Sequence, residues 1–291
     1  MTKFRLVFLL LPVLALALFA GCGSSDDSSS DDSSTTTASV SLDQCQGDSL
    51  DTYKDGVLTV ATDDPAYSPY FEDNDPTNGK GFESAVAYAV AGKLGFNRSQ
   101  VEWTTVPFNS SYAPGDKQFD FDVNQISITP PREKVVDFSA PYYEADQAVL
   151  VKKGGELDGI TSLDQLKDAT IGVQIGTTSL DAVNEQIDPA TDPKIFDNSN
   201  DVVSAFKNDQ VDAIVVDTPT AIYLRDAELS GTVVAGQFAQ AGGDQWGAVL
   251  DKDSSLTDCV SAAIDSLKAD GTLDQLNQEW MADAAKAPEL N

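Results

Sequence analysis

Three residues of this sequence have the chemistry to hold a carboxylate. A carboxylate is bound well by a bidentate guanidinium together with backbone N–H donors at the start of a helix. Arg132 carries such a guanidinium, and Thr177 and Thr178 follow a glycine where a helix is expected to open. Together these residues are suited to bind the anionic group of a small molecule.

A second set of residues can hold an ammonium group, which needs a carboxylate and one or two neutral acceptors. Asp217 supplies the carboxylate, while the Gln125 carbonyl and the Ser127 hydroxyl supply the acceptors. Tyr67 and Phe108 are aromatic residues that can enclose an aliphatic or cationic side chain. The two sets combined have the chemistry to bind a zwitterion such as an amino acid.

Each of these residues, taken singly, also has an ordinary structural interpretation. Arg132 is followed by two further charged residues, as a surface arginine often is. Asp217 lies shortly before Pro219, which is the pattern of a helix N-cap. The Gly-Thr-Thr run is commonly a helix cap, and Tyr67 and Phe108 can be core residues. The joint order of the residues favours a binding site, and the sequence leaves each alternative open.

The elements that must position these residues alternate between strands and helices, which indicates an α/β architecture with mostly parallel sheets. The predicted strands cover residues 57–61, 101–106, 121–128, 148–151, 170–173 and 211–216. The predicted helices cover residues 82–94, 162–166, 179–187, 202–207, 219–225, 256–267 and 273–280. Ligands of open α/β sheets bind beyond the carboxyl ends of the strands. Tyr67, Thr177 and Asp217 all follow predicted strands, so we expect them at such an edge.

The composition excludes several classes of function. The 47 acidic and 18 basic side chains give a formal net charge of -29, and the chain has no histidine. So acidic a surface repels nucleic acids and anionic lipid headgroups. The missing histidine rules out Ser-His-Asp and Cys-His catalytic sites and histidine-containing zinc sites. The sequence therefore predicts a protein that is not an enzyme and that needs no metal or other cofactor.

The N-terminus indicates export. A basic start precedes an apolar run over residues 6–20, which is too short to span a membrane comfortably. We therefore interpret residues 1–21 as a signal peptide. Its Ala-Gly-Cys end resembles a bacterial lipobox, so we expect Cys22 to be lipidated and to anchor the chain to the outside of the cell membrane. The alternative is ordinary signal cleavage nearby, with Cys22 lost or free.

The cysteines and a polar segment mark where the fold begins. Residues 22–43 are rich in serine and aspartate and have no core-forming pattern, which predicts a disordered tether. The fold is expected to start near residue 44. Cys45 and Cys259 are the two other cysteines, and a disulfide between them is favoured in an exported protein. Two buried free thiols are the alternative.

Two adjacent motifs carry a family resemblance. Residues 127–132 read SITPPR, and residues 136–142 read VDFSAPY. With these motifs, the sequence resembles the polar amino acid-binding proteins of ABC transporters. Further segments that match the family are 56–70, 172–178, 211–217 and 267–273, so the resemblance covers nearly all of the chain after residue 50.

The resemblance implies a type II periplasmic binding protein with two lobes joined by two crossover segments. Lobe 1 would consist of residues 44–144 and 245–291, and lobe 2 of residues 145–244. The ligand would bind in the cleft between the lobes, which close around it by a hinge motion.

The resemblance also implies roles for particular residues. Arg132 would clamp the ligand carboxylate, Asp217 would bind the ammonium, and Asp64 would face the ligand side chain. At position 125 the family often has a small residue, so a glutamine there would narrow the cavity. The full ligand-binding set implied in this way is Asp64, Tyr67, Phe108, Gln125, Ser127, Arg132, Thr177, Thr178 and Asp217.

The function that follows is the extracytoplasmic binding component of an ABC importer. Such a monomer would bind a polar amino acid, with a cationic or amide side chain favoured opposite Asp64, and deliver it to the transporter permease. One alternative is a dehydratase-type enzyme on the same fold, whose general acid would have to be a carboxylate. Another alternative is a sensor ectodomain, which would need a membrane-spanning segment after the lobes.

Overall fold

The computed structural model describes residues 40–240, 242–282 and 287–291. The predicted signal peptide, the lipidation site Cys22 and most of the predicted tether lie outside the described residues. Val40 and Leu42 pack, half-buried, against the hydrophobic core. Packing therefore begins upstream of residue 44, where the sequence pattern placed the start of the fold.

Strands and helices alternate as the hydrophobic pattern predicts. The strands are β1 (Leu58–Thr62), β2 (Val101–Thr105), β3 (Phe121–Asp122), β4 (Asp137–Phe138), β5 (Tyr143–Glu144), β6 (Gln147–Lys152), β7 (Ile171–Gln174), β8 (Lys194–Phe196), β9 (Ala213–Asp217), β10 (Thr232–Phe238), β11 (Gln245–Trp246) and β12 (Val249–Leu250). The helices are α1 (Phe82–Lys93), α2 (Phe108–Ser111), α3 (Pro130–Glu133), α4 (Thr178–Ala182), α5 (Ser199–Lys207), α6 (Thr218–Tyr223), α7 (Thr257–Ala269) and α8 (Thr272–Trp280).

Within the described residues, the strands form two five-stranded sheets and one two-stranded ladder. The first sheet has the order β2-β1-β3-β12-β4, and the second has the order β10-β6-β9-β7-β8. The ladder pairs β5 with β11 in antiparallel fashion. The predicted α/β class is confirmed, and the chain between β5 and β11 forms the whole of the second sheet.

Each sheet is mixed in strand direction. In the first sheet β2 and β3 run parallel to β1, whereas β12 runs antiparallel to β3 and β4. In the second sheet β8 and β9 run parallel to β7, whereas β6 runs antiparallel to β9 and β10. The strands β6 and β12 are those that follow β5 and β11 directly. Each enters its sheet from the edge where its neighbours end, so it must run in the opposite direction.

The second sheet is buried on both faces, as its unbroken apolar strands predict. Along β6, Val149 and Val151 belong to one core cluster while Leu150 belongs to the cluster on the opposite face. Along β9, Val215 and Ile214 divide in the same way. The period of two that places successive side chains on opposite faces therefore gives this sheet two cores.

The first sheet is covered by long helices. All residues of β1 are buried, and α1 packs against both α7 and α8. Along α7, Val260, Ala263, Ile264 and Leu267 are buried at helical spacing. The core below them extends to Trp246 of β11, which is fully buried. The same core therefore supports both the first sheet and the two-stranded ladder.

One predicted strand is shorter than its apolar pattern suggested. The run over residues 121–128 forms a strand only at Phe121–Asp122. Gln125 adopts a positive φ of 51°, which no strand residue takes. The ladder ends there, and Ile126 is buried in a small cluster of its own. Residues 124–128 consequently form a bend that faces the other sheet.

The C-terminal residues return to the second sheet. The backbone N–H of Leu290 donates to the Gln237 carbonyl at 2.8 Å, and the Gln237 N–H donates to the Pro288 carbonyl at 2.7 Å. Leu290 is buried in the second sheet's core. No helix of the described residues is long and apolar enough to cross a membrane.

The predicted disulfide between Cys45 and Cys259 is present, with a Cα–Cα distance of 5.4 Å. It joins the turn after Leu42–Gln44 to α7. Both cysteines are buried among the residues of the first core. The free-thiol alternative is therefore wrong, and the start of the described fold is fixed to one of its last helices.

Removal of this disulfide is expected to destabilise the protein by about 5 kcal/mol, because the bond closes a loop of 214 residues in the unfolded chain. The Cys45→Ala, Cys259→Ala double variant is the one to measure, by denaturant unfolding beside the parent. The oxidised and reduced parent provide the matched comparison. A loss below about 1 kcal/mol in both experiments would contradict the expectation.

Candidate functional site

A cavity of about 430 Å³ lies where polar residues from the two sheets converge. The first sheet supplies the loop after β1, the start of α2 and the bend at residues 124–127. The second sheet supplies the ends of β7 and β9 and the starts of α4 and α5. The predicted site residues that line it are Asp64, Tyr67, Phe108, Gln125, Ser127, Thr177, Thr178 and Asp217. The structure therefore brings together residues that lie up to 153 positions apart in sequence.

The loop after β1 is held by Asp63, which the sequence reasoning did not select. The carboxylate of Asp63 accepts the Asp64 N–H at 2.7 Å and the Phe108 N–H at 3.1 Å. These two bonds fix the loop to the start of α2. The Asp64 carboxylate is exposed and accepts the amide of Asn74 at 3.2 Å. Asp63 therefore shapes the cavity wall, while Asp64 presents a charge beside it.

The bend at Gln125 depends on a buried acid. Glu83 accepts the backbone N–H of Gln125 at 2.7 Å, and it also accepts hydrogen bonds from the Gln125 side-chain amide and the Tyr142 hydroxyl. Glu83 is fully buried. Its burial raises the pKa to about 7, although the hydrogen bonds oppose that rise. Glu83 thus fixes the left-handed conformation that turns Gln125 towards the cavity.

The end of β7 leads into a capped helix. The Thr177 hydroxyl accepts the Leu180 N–H at 3.2 Å, so Thr177 is the N-cap of α4 as the structural alternative proposed. Thr178 is buried, and its hydroxyl donates to Asp244 Oδ2 at 2.9 Å. The Ser127 hydroxyl lies 3.2 Å from that of Thr178. Thr177 and Thr178 therefore line the same wall, but Thr177 caps α4 whereas Thr178 forms a hydrogen bond to Asp244.

Asp217 does not cap the helix that follows it. Its side chain makes no hydrogen bond to the first turn of α6. It accepts instead from Gln147 Nε2 of β6, at 2.6 Å. Burial raises the pKa of Asp217 well above its ordinary range, and the charge of Asp244 raises it further. The carboxylate is thus turned into the cavity, where an approaching cation would stabilise its ionised form.

Arg132 lies behind the cavity wall rather than among the lining residues. It is 7% exposed, so it is not the surface charge that its neighbours in sequence suggested. One terminal nitrogen donates to the Ser127 carbonyl at 2.7 Å, and the other donates to the Gly176 carbonyl at 2.9 Å. Its guanidinium lies 4.3 Å from the ring centre of Tyr112 and 5.7 Å from that of Phe108. Arg132 therefore connects the bend of the first sheet to the loop after β7 in the second.

Several hydrogen bonds join the two walls of the cavity. Tyr67 bonds through its hydroxyl to Asn200. The Tyr112 hydroxyl donates to the Gly176 carbonyl at 3.0 Å. Gly176 has a φ of 75°, and a Cβ there would lie 2.7 Å from the Tyr112 hydroxyl, so a larger residue would displace this side chain from the Gly176 carbonyl. The arrangement is that of a closed cleft.

The cavity is strongly acidic. The aspartates that line it are Asp63, Asp64, Asp197 and Asp217. Among the described residues, neither lysine nor arginine lines it. Carboxylates concentrated in a partly enclosed space favour a positively charged ligand.

Sequence reasoning missed Glu83, Gln147 and Asp244, which hold the lining residues from behind. Glu83 lies inside a helix, and Gln147 begins a buried strand, so neither follows a strand end. Asp244 follows a glycine pair at the second passage between the sheets. Only the contacts that the fold creates show that these three residues support the site.

Comparison with known proteins places the chain in a family. Residues 58–283 match the family described as bacterial extracellular solute-binding proteins, family 3. The chain belongs to this family. The match includes both sheets and all of the lining residues of the cavity.

Individual relatives agree with this membership. The chain is 32% identical to the arginine-binding extracellular protein ArtP of Bacillus subtilis over 219 residues, which are 74% of this chain and 82% of that protein. It is 29% identical to the L-cystine-binding protein TcyJ of Escherichia coli K12, over 79% of this chain and 85% of that one. A solved structure of an ancestral arginine-binding protein bound to arginine has 34% identity and a TM-score of 0.65, over 77% of this chain and 98% of that chain.

The buried acid behind Gln125 generates a prediction about stability. Because the pKa of Glu83 is about 7 in the folded protein and 4.5 when unperturbed, the folded protein keeps its proton while the unfolded chain loses it. Stability is then lost as pH rises from about 4.5 to about 7, by roughly 3 kcal/mol from this residue alone. Glu83→Gln should flatten that decline, as measured by urea unfolding across this pH range.

Two further variants test the contacts of Glu83. Glu83→Ala leaves the Gln125 N–H and the Tyr142 hydroxyl without their acceptor, so it should cost about 2–5 kcal/mol. Glu156→Ala, in the exposed loop after β6, is the matched control and should change stability by less than about 0.5 kcal/mol. If Glu83→Ala is as stable as this control, Glu83 does not support the bend.

Proposed function

We propose that this protein binds a cationic amino acid in the acidic cavity and delivers it to the permease of an ABC importer. The observation that carries the proposal is the charge of the cavity, which four aspartates line without a lining lysine or arginine among the described residues. A ligand such as L-arginine brings a net positive charge, an ammonium for Asp217 and a carboxylate for the opposite wall.

The relatives support the same class of ligand. ArtP is named as an arginine-binding protein, and the ancestral structure was solved with arginine bound. TcyJ is named for L-cystine at a comparable identity, so sequence similarity alone does not tell which side chain the ligand has. The acidity of this chain's own cavity therefore carries that part of the proposal.

The ligand carboxylate is proposed to bind at Arg132. Its two terminal nitrogens hold the carbonyls of Ser127 and Gly176, one from each wall. We infer that the carboxylate takes the place of the Gly176 carbonyl, with further hydrogen bonds from Ser127 and Thr178. Such charge-assisted bonds are stronger than those to a neutral carbonyl, which favours the exchange.

Hinge closure is the proposed mechanism of capture. The lobes would be residues 44–144 with 245–291, and residues 145–244, joined through β5 and β11. Ligand groups that contact both lobes bind the closed form better than the open form, so binding shifts the population towards closure. The permease would then recognise the closed form. Phe108 and Tyr67 would enclose the ligand side chain, with Gln125 limiting its size and Asp64 selecting its charge.

Binding without turnover is part of the proposal, since the chain offers no histidine for acid-base chemistry. A captured amino acid should be recovered unchanged after release from the protein.

Anchoring to the membrane is also proposed, on the sequence pattern that ends at Cys22. Lipidation would hold the binding protein near its permease and raise its effective concentration there. Cys22→Ala should move the protein from the membrane fraction into the medium when cells are fractionated. Cys22→Ser gives a second test with a side chain of similar size. A variant that stays with the membrane would mean that another feature anchors it.

Ligand binding generates a further prediction. Screening the twenty amino acids by thermal shift should give the largest increase with L-arginine or L-lysine, because a ligand that binds only the native state stabilises it. Asp217→Asn removes the charge that faces the ammonium, so it should weaken binding of the best ligand by about two to three orders of magnitude. Calorimetric titration measures this loss directly.

Asp64→Asn is the matched comparison, because it removes the same charge from an exposed position of the same cavity. It should narrow the preference for L-arginine over L-glutamine by about tenfold, while binding of the α-groups persists. Glu156→Gln, remote from the cavity, controls for net charge. If no amino acid binds, or if Asp217→Asn binds like the parent, the proposed function is wrong.

A further inference from the structure

The cavity carboxylate of Asp217, which is half-buried, meets the buried carboxylate of Asp244 without a cation between them. Asp217 Oδ1 and Asp244 Oδ2 accept hydrogen bonds from the same nitrogen, Gln147 Nε2, at 2.6 and 2.9 Å. The two carboxylate oxygens therefore lie within about 5.5 Å of each other. Asp244 is 1% exposed, and its Oδ1 has no hydrogen-bond partner in the described part of the chain.

The surroundings of the pair do not neutralise two negative charges. The charged and titratable groups that face it from the elements packed around it are Glu83 of α1, Arg132 of α3, Tyr70 of the loop after β1, Tyr143 of β5 and Asp146 of the first crossover. Arg132 forms no ion pair with either carboxylate within the described residues, because its terminal nitrogens contact the Ser127 and Gly176 carbonyls.

We propose that Asp217 and Asp244 hold one proton between them in the unliganded protein and release it to solvent when the ligand ammonium docks against Asp217. The inference rests on the proposed function, since it uses the ammonium of an amino acid. The O–H bond of one carboxyl group is the bond that breaks, and its proton leaves for the solvent.

The physical reason is the cost of two adjacent charges in a buried site. Two carboxylates that share one donor repel each other, and burial weakens the screening of that repulsion by water. One proton removes the repulsion, and it belongs to the pair rather than to either residue. An ammonium beside Asp217 supplies a positive charge instead, so both carboxylates then ionise.

The consequence is an affinity that depends on pH. A group that is protonated in the free protein and ionised in the complex releases a proton on binding, so affinity rises with pH until the free pair is itself ionised. Through that range the Kd falls by up to about tenfold per pH unit, and above it the Kd levels off. An acidic medium would thus loosen the ligand, and a neutral one would hold it.

Asp244 acts in this scheme as a positioning residue. It does not line the cavity, but it accepts the hydroxyl of Thr178 and shares Gln147 with Asp217. Its backbone carbonyl accepts the Ala145 N–H at 2.8 Å, which ties the two passages between the sheets together. Asp244 therefore lies in the segment that would bend during the proposed hinge motion.

Calorimetric titration with L-arginine, in buffers of different ionisation enthalpy at about pH 6, counts the protons released per ligand bound. Near pH 6 the α-carboxylate, α-ammonium and guanidinium of L-arginine are all fully charged, so any proton comes from the protein. The parent should release about half to one proton, and Asp244→Asn should release clearly fewer, because burial alone then raises the pKa of Asp217. Glu144→Gln removes an exposed charge from β5, at the first passage between the sheets, and should behave like the parent.

A second measurement needs no ligand. Carbon-13 NMR of aspartate carboxyl groups follows their titration in the unliganded parent. The carboxyl of Asp217, assigned by its absence from the spectrum of Asp217→Asn, should titrate well above its ordinary range, and Asp244→Asn should lower its pKa. Burial raises the pKa of Asp122 to about 7, and Asp244→Asn should leave that carboxyl unchanged. If Asp244→Asn leaves the titration of Asp217 unchanged, or if L-arginine binds with no proton release in the parent, the pair does not share a proton. If the Asp217 carboxyl is raised and responds to Asp244→Asn but no amino acid binds, the proton sharing is supported and the proposed function fails.

Discussion

Everything at the cavity depends on two short segments that pair with each other where the chain passes between the sheets. β5 and β11 form an antiparallel ladder, and Trp246 of β11 is fully buried, with its ring centre 4.6 Å from that of Tyr143. The segment after β11 also pairs with the bend at Ser127, since the Gly247 N–H donates to the Ile126 carbonyl at 3.1 Å. One aromatic core and one set of backbone bonds therefore anchor both passages between the sheets to the first sheet. The position of each wall relative to the other is consequently set where the chain makes these two passages.

Behind the residues that face the cavity lies a second set of buried polar groups. Glu83 holds the bend at Gln125, and Gln147 holds both Asp217 and Asp244. Such groups are costly to bury, and each is kept by hydrogen bonds whose loss would leave a donor or acceptor unpaired. These bonds hold the backbone bend and the carboxylates within each wall, whereas the contacts that join the two walls are made by side chains. The proposed hinge closure requires this division, because contacts between the walls must break while each wall keeps its structure.

The family scaffold and the choice of ligand have separate physical origins. Membership in the solute-binding family accounts for the two sheets and the cleft. The proposed preference for a cationic ligand comes from side chains on loops, such as Asp64 and Asp197, which lie outside the core clusters, so their replacement need not disturb the core. Relatives of similar identity that are named for arginine and for cystine fit this division. In this chain, aspartates line the cavity and no lysine or arginine lines it among the described residues. The electrostatic potential of the site is therefore negative.

The sequence by itself determined the elements and many of the residues at the cavity. Apolar periodicity predicted α1, α7 and the buried strands, because burial on one or both faces leaves a local pattern, and the family motif pointed to the segment from Ser127 to Arg132. Tertiary structure alone decided the rest. Gln125 breaks a strand-like pattern because Glu83, distant in sequence, stabilises its positive φ. Asp217 resembles an N-cap in sequence and becomes a cavity carboxylate because Gln147 draws it away from the helix. Arg132 lies behind the wall because two carbonyls from different sheets converge on it. Local patterns record which face of an element is buried, but they carry no information on which distant polar group will meet it there.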